Sequence, residues 1–173
     1  MDFIHELDVT PEQHNLIRQL RNDSFVEHQT TSSYLKQLPH VRVLEMKGGE
    51  LIGYMGLDYR VISVDGQPLK VLGVIDFCVE KNARGQGIGR QMLQGVEQFA
   101  RTKQVDFVIL ISDLKEFYLA SGYQQITATQ SWLRIHQHRN YGVAVEELDE
   151  LYVKPMREKP WPSGHVDWLG YMF

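Results

Sequence analysis

Residues 83–92 read ARGQGIGRQM. Gly85, Gly87 and Gly89 stand at alternate positions, with Arg84 and Arg90 on either side. Glycine brings backbone freedom and is a poor helix former. Yet a helical pattern follows at once, since Ile88, Met92, Leu93, Val96, Phe99 and Ala100 repeat with helical spacing. Just before stands LKVLGVIDFCVE, residues 69–80, an extended apolar run. Strand, glycine turn, helix is an order that suits a phosphate. The first N–H groups of a helix lack partners inside it, its dipole favours an anion there, and absent side chains let the anion approach. Between residues 81 and 104 the cations are Lys81, Arg84, Arg90, Arg101 and Lys103, against the single acid Glu97, in a chain of net charge −4. A tight turn or a helix cap with solvated arginines leaves three glycines and this charge contrast unexplained.

Two nucleotide loops fail on this stretch. A Walker loop needs Lys-Ser/Thr after its last glycine, and Ile88, Gly89 and Arg90 follow Gly87 instead. A dinucleotide fingerprint begun at Gly85 needs a glycine where Arg90 stands, and one begun at Gly87 needs it where Met92 stands.

Outward from the loop, the chain punctuates clearly. DFIHELDV (2–9) reads as a first strand. Thr10, Pro11 and Gln13 form a capping box with proline in the first turn, and Leu16, Ile17 and Leu20 give the helix an apolar face. A short second helix is predicted around Ser33–Leu38, stopping at Pro39. VRVLEM, LIGYMGLDYRVISV and LKVLGVIDFCVE are extended runs separated by Gly48-Gly49 and Asp65-Gly66, which is hairpin chemistry. VDFVILIS (105–112) is nearly all apolar, as in a strand buried on both faces. A helix over Leu114–Ala120 stops at Gly122. SWLRIHQH and ELYVKPM read as two last strands joined by a loop. The order β-α-α-β-β-β-α-β-α-β-β predicts an α/β chain with one mixed sheet and helices on both faces. No linker or repeat divides residues 1–173, so one domain is expected.

Composition narrows the classes. Hydrophobic residues make up 43% and charged residues 23%, as in ordinary globular proteins. No apolar run reaches the roughly 20 residues that span a bilayer. MDFIHELDVT lacks a signal-peptide pattern, and Cys78 is the lone cysteine. These point to a cytoplasmic chain with no membrane association, and the net negative charge argues against nucleic acid.

Arg84-x-x-Gly87-x-Gly89, after a strand and opening an amphipathic helix, resembles the acyl-CoA loop of the GNAT family of N-acetyltransferases, Q/R-x-x-G-x-G/A. Some thirty residues on, EFYLASGY resembles that family's second signature through Tyr118, Gly122 and Tyr123. The element order is similar to the GNAT fold along nearly the whole chain. The resemblance implies acetyl-CoA as cosubstrate, with no metal. Its pyrophosphate would lie on the loop amides of Gln86 to Gly89, within the stretch Arg84, Gly85, Gln86, Gly87, Ile88, Gly89 and Arg90. Its pantetheine arm would meet the backbone of Phe77, Cys78 and Val79, where the fourth strand splays from the fifth. The resemblance also implies Tyr118 as general acid.

Acetyl transfer to an amine poses two proton problems. A lysine-like amine has a pKa of about 10.4, so about one in 2,500 is neutral at pH 7, a deficit near ~4.6 kcal/mol. A carboxylate can relieve this, and a tyrosine can protonate the leaving thiolate. Period two puts Val74, Asp76, Cys78 and Glu80 on one face of their strand. An acid within so apolar a strand needs a partner or a polar cleft, which makes Asp76 the first candidate base and Glu80 the second. Cys78 reads as a small buried hydrophobe. His136 and His138 share a strand face on this reading but lack a third ligand.

The resemblance implies a small-molecule or peptidyl amine as acceptor. Glu146, Glu147, Asp149 and Glu150 read as a solvated face or as an attractor of a cation. The tail KPWPSGHVDWLGYMF is too aromatic to hang free. It packs on the body or on a second copy in a homodimer, and it resembles the tails of aminoglycoside-type acetyltransferases. The alternatives are a non-catalytic acyl-CoA-binding regulator on the same fold and a nucleotide-binding protein of another class.

Overall fold

The computed structural model describes residues 1–173. Its strands are β1 (Asp2–His5), β2 (Val41–Lys47), β3 (Glu50–Val64), β4 (Gln67–Val79), β5 (Phe107–Ile111), β6 (Gln124–His136), β7 (Arg139–Pro155) and β8 (Val166–Tyr171). The α-helices are α1 (Pro11–Ser24), α2 (Ile88–Arg101) and α3 (Lys115–Ala120). The strands form one mixed sheet in the order β1-β2-β3-β4-β5-β7-β6-β8. The pair β4–β5 is parallel, β6–β8 is parallel, and β1–β2, β2–β3, β5–β7 and β6–β7 are antiparallel. The mixed α/β sheet is the one expected.

The local signals act as the chemistry dictates. Thr10 and Gln13 complete a reciprocal capping box, at 2.9 and 3.2 Å, ahead of α1. Gly48, Gly49, Asp65 and Gly66 all take positive φ in their hairpin turns. Gly122 does so at the end of α3, with a φ of 81°.

Four expectations are corrected. Residues 33–38 form bends rather than a helix. Ser33 is instead held by its own polar atoms: its Oγ meets His14 Nδ1 at 2.8 Å, and its carbonyl accepts from Arg42 at 2.7 Å. The segment after SWLRIHQH is not a loop, because β7 starts at Arg139 and runs through it. Gln137 and His138 make the turn with φ of 48° and 57°. His136 therefore ends β6 while His138 sits in the turn, so the two do not share a strand face. The tail supplies an eighth strand, β8, that its proline, glycine and tryptophan content did not signal.

The chain divides into two compact units, Met1–Asp58 with Val74–Val96, and Tyr59–Gly73 with Glu97–Phe173. In the first, Ile17, Leu20, Leu44, Leu51, Tyr54 and Cys78 form the core. Arg42 is fully buried beside it and donates to both carboxylate oxygens of Glu6, to Ser33 and to Tyr54 Oη. In the second, residues of β3 to β8 bury Trp168 among Val71, Phe107, Ile109 and Val153. Trp168 Nε1 donates to buried Gln130 Oε1 at 2.9 Å. The tail packs on its own unit: Phe173 stands edge-on to Trp168, 5.0 Å between centroids, and Arg60 lies over the Tyr171 ring at 4.2 Å. Gly73 permits this, because a Cβ there would come within 2.2 Å of the Phe173 ring.

Candidate active site

The glycine stretch lies in the first unit. At the end of β4, Glu80 caps a short 3-10 turn over Lys81–Ala83, its Oε2 accepting from Asn82 N at 2.8 Å and Ala83 N at 3.0 Å. The chain then turns through Gly85 and Gly87, with φ of 75° and 81°. Only glycine takes such angles without strain. No atom lies within 4 Å of where a Cβ would stand at either residue, so the backbone there is open to an incoming group. Gln91 N donates to Gly87 O at 3.0 Å, which closes the first turn of α2. The N–H groups of Ile88, Gly89 and Arg90 precede that bond and lack intrahelical acceptors. Arg84 and Arg90 are exposed on either side. Arg84 Nε donates to Val79 O at 2.8 Å, and Gln86 Nε2 to Asn82 O at 3.0 Å, which fix the loop's shape. The result is a stretch of open backbone and free helix amides between two exposed arginines, an arrangement that suits an anion.

Upstream, β4 and β5 pair in parallel from Val71↔Phe107 to Gly73↔Ile109, and β4 continues through Val74–Val79. Asp76 interrupts the period-two alternation with a φ of 49°, a left-handed conformation that aspartate tolerates better than most residues. Its Oδ2 accepts from Arg21 Nε at 2.8 Å. Arg21 is almost wholly buried, also donates to His28 O at 2.7 Å, and stacks near the Phe25 ring. Asp76 also acts on Lys36: burial lowers that amine's pKa and the carboxylate's charge opposes it. Phe77 and Val79 are half-buried, while the Cys78 thiol is buried and pushed up to about 12, chiefly by desolvation.

Tyr118 belongs to the second unit. It is 4% exposed, on the one face of α3 that is buried. Its ring packs on Tyr152 at 5.3 Å and Tyr123 at 5.8 Å. Burial pushes its phenol up to about 12, against the opposing hydrogen bond with the Ser112 side chain. The short helix is held at its end by Lys154, whose Nζ donates to Ser121 O at 2.8 Å and to Glu97 Oε2 at 2.7 Å.

The sequence reading missed Arg21, Lys36 and Ser112, the partners of the candidate acid and base. Arg21 carried a signal, since it falls four residues after Ile17 on the apolar face of α1. Lys36 and Ser112 carried none.

The sequence profile of the acetyltransferase (GNAT) family matches residues 6–123. Among solved structures, the Escherichia coli GNAT N-acetyltransferase YhbS, in complex with CoA, is 15% identical with a TM-score of 0.62, over 96% of this chain and 88% of that one. An aminoglycoside 6'-N-acetyltransferase complexed with coenzyme A is 14% identical with a TM-score of 0.61, over 92% and 99%. A Brucella melitensis GNAT acetyltransferase in complex with acetyl-CoA is 14% identical with a TM-score of 0.59, over 95% and 93%. With the profile spanning more than half its length, and with this sheet and loop, the chain belongs to the GNAT acetyltransferase family.

Proposed function

We propose that residues 1–173 act as one acetyl-CoA-dependent N-acetyltransferase domain, passing an acetyl group to a primary amine of a small molecule or peptide by direct attack in a ternary complex. The observation that carries the reading is the start of α2. Left-handed Gly85 and Gly87 leave open backbone beside unpartnered helix amides, between Arg84 and Arg90. The amides of Gln86 to Gly89 hold the pyrophosphate, and the backbone of Phe77–Val79 meets the pantetheine arm. Family membership and the CoA-bound neighbours support this assignment.

The amine nitrogen forms a bond to the thioester carbonyl carbon, and the carbon–sulfur bond breaks. Tyr118 delivers its phenolic proton to the departing sulfur; a phenol raised to about 12 keeps that proton at neutral pH. Asp76 takes the amine's proton, directly or through water, on the oxygen that Arg21 does not use. We set Glu80 second, since its side chain caps the turn that shapes the phosphate loop.

Calorimetric titration with CoA tests the loop: Arg84→Glu or Gly87→Asp abolishes binding, and unaltered affinity sinks the assignment. Thiol release over an amine panel tests the chemistry. Tyr118→Phe lowers kcat by about 10²-fold or more with KM little changed. Asp76→Asn lowers kcat by about 10²-fold or more, while Glu80→Gln leaves it near wild type. Binding of CoA without turnover on any amine supports instead a non-catalytic acyl-CoA-binding regulator.

A further inference from the structure

Helix α3 is six residues long, Lys115–Ala120. A helix so short does not hold its place by its own hydrogen bonds, and Leu114 at its N-cap has no side chain able to cap it. Tyr118 is the one buried residue on it. What anchors α3 therefore sets where the Tyr118 phenol stands. Two anchors come from β7. Tyr152 and Lys154 stand two residues apart, so their side chains share a face of the strand. Tyr152 packs on the Tyr118 ring at 5.3 Å. Lys154 reaches the end of the helix: its Nζ donates to Ser121 O at 2.8 Å and lies 5.3 Å from the centroid of the Tyr123 ring, which itself stands edge-on to Tyr118. Ser121 N donates to the carbonyls of Phe117 and Tyr118, at 3.1 Å each, so a shift of Ser121 is passed to Tyr118.

The ammonium is fixed from its other side as well. Glu97 Oε2 accepts from Nζ at 2.7 Å, with the two side chains only 11% and 20% exposed. Glu97 is the single acid between residues 81 and 104. Desolvation of so nearly buried a pair offsets much of its attraction, so added stability is a weak account of it. Geometry is a better one, because the carboxylate holds the ammonium against the carbonyl that ends α3. Resting on Tyr118 as the general acid of the reading above, we propose that Lys154, braced by Glu97, is a positioning residue that aims the Tyr118 phenol at the departing sulfur. Proton transfer needs hydrogen-bond reach, and a misplacement of about 1 Å costs about 10²-fold. Lys154 itself moves no proton in this role.

Steady-state thiol release with acetyl-CoA and the best amine of the panel tests this. Lys154→Met lowers kcat about tenfold or more and leaves KM for acetyl-CoA little changed. Lys154→Arg, which keeps a cation with several donors, recovers part of the loss. Glu97→Gln loses less than Lys154→Met, because the neutral amide oxygen still accepts from Nζ. The double variant decides. With Tyr118→Phe in place no phenolic proton is left to aim, so adding Lys154→Met costs no further turnover. A lysine that only holds the fold costs the same factor in both backgrounds. Far-UV circular dichroism and CoA affinity check that each variant is folded; should Lys154→Met not fold, Glu97→Gln carries the same comparison. Lys154→Met at wild-type kcat, or an equal loss with and without the Tyr118 phenol, overturns the proposal and leaves Tyr118 as the acid. Tyr118→Phe at wild-type kcat, or a wild type idle on every amine, sinks the acid reading and this proposal with it.

Discussion

Tyr118 and Cys78 are two protic side chains that burial, more than any other cause, keeps protonated at neutral pH. The Tyr118 phenol is raised to about 12 by desolvation. Since the folded value lies above the unfolded one, the folded chain holds more protons between about pH 10 and 12, and stability falls as pH rises through that window. The loss amounts to about 2 to 3 kcal/mol by pH 12. Urea titrations at pH 9 to 12 check it: Tyr118→Phe loses stability with a shallower slope than wild type. The Cys78 thiol, also raised to about 12 by burial, is not a nucleophile at neutral pH. A chromogenic disulfide reagent is expected to leave it unmodified in the native chain and to titrate one thiol after denaturation. Rapid native labelling refutes that placement.

At the scale of elements, the turn between β6 and β7 pairs two residues poorly suited to it. Both Gln137 and His138 take positive φ, where asparagine and glycine are favoured. Replacing them with Asn-Gly removes that strain and stabilises the protein by about 1 kcal/mol, read as a higher urea midpoint at unchanged slope. The same pair explains why the hairpin was hard to read. Gly48-Gly49 and Asp65-Gly66 announce their turns, whereas Gln-His has no turn signature, and the exposed β7 sequence reads as a loop. The stretch 33–38 misled in the other direction. Its spacing before Pro39 suits a helix, but Arg42 and His14, distant in sequence, take up Ser33. The glycine turn ahead of α2 was legible because its requirements are local: glycine supplies the positive φ of Gly85 and Gly87. Nothing local told that Asp76 would face Arg21 across 55 positions of chain.

At the scale of the molecule, the aromatic tail is part of the core. Trp168 has no exposed surface and is tied to Gln130. Trp168→Ala leaves a cavity and an unpaired buried amide oxygen, costing about 3 to 5 kcal/mol. A lower urea midpoint measures it; a midpoint close to wild type rules out this account of the tail. The order in which the chain visits its two units has a consequence for biosynthesis. The first unit takes its last residues from Val74–Val96, and the second still needs Glu97–Phe173. On a ribosome adding roughly 5–20 residues per second, the unit holding the glycine turn is fully synthesised seconds before the unit holding Tyr118. A nascent chain stalled soon after Val96 clears the exit tunnel thus already carries every residue of the proposed CoA loop.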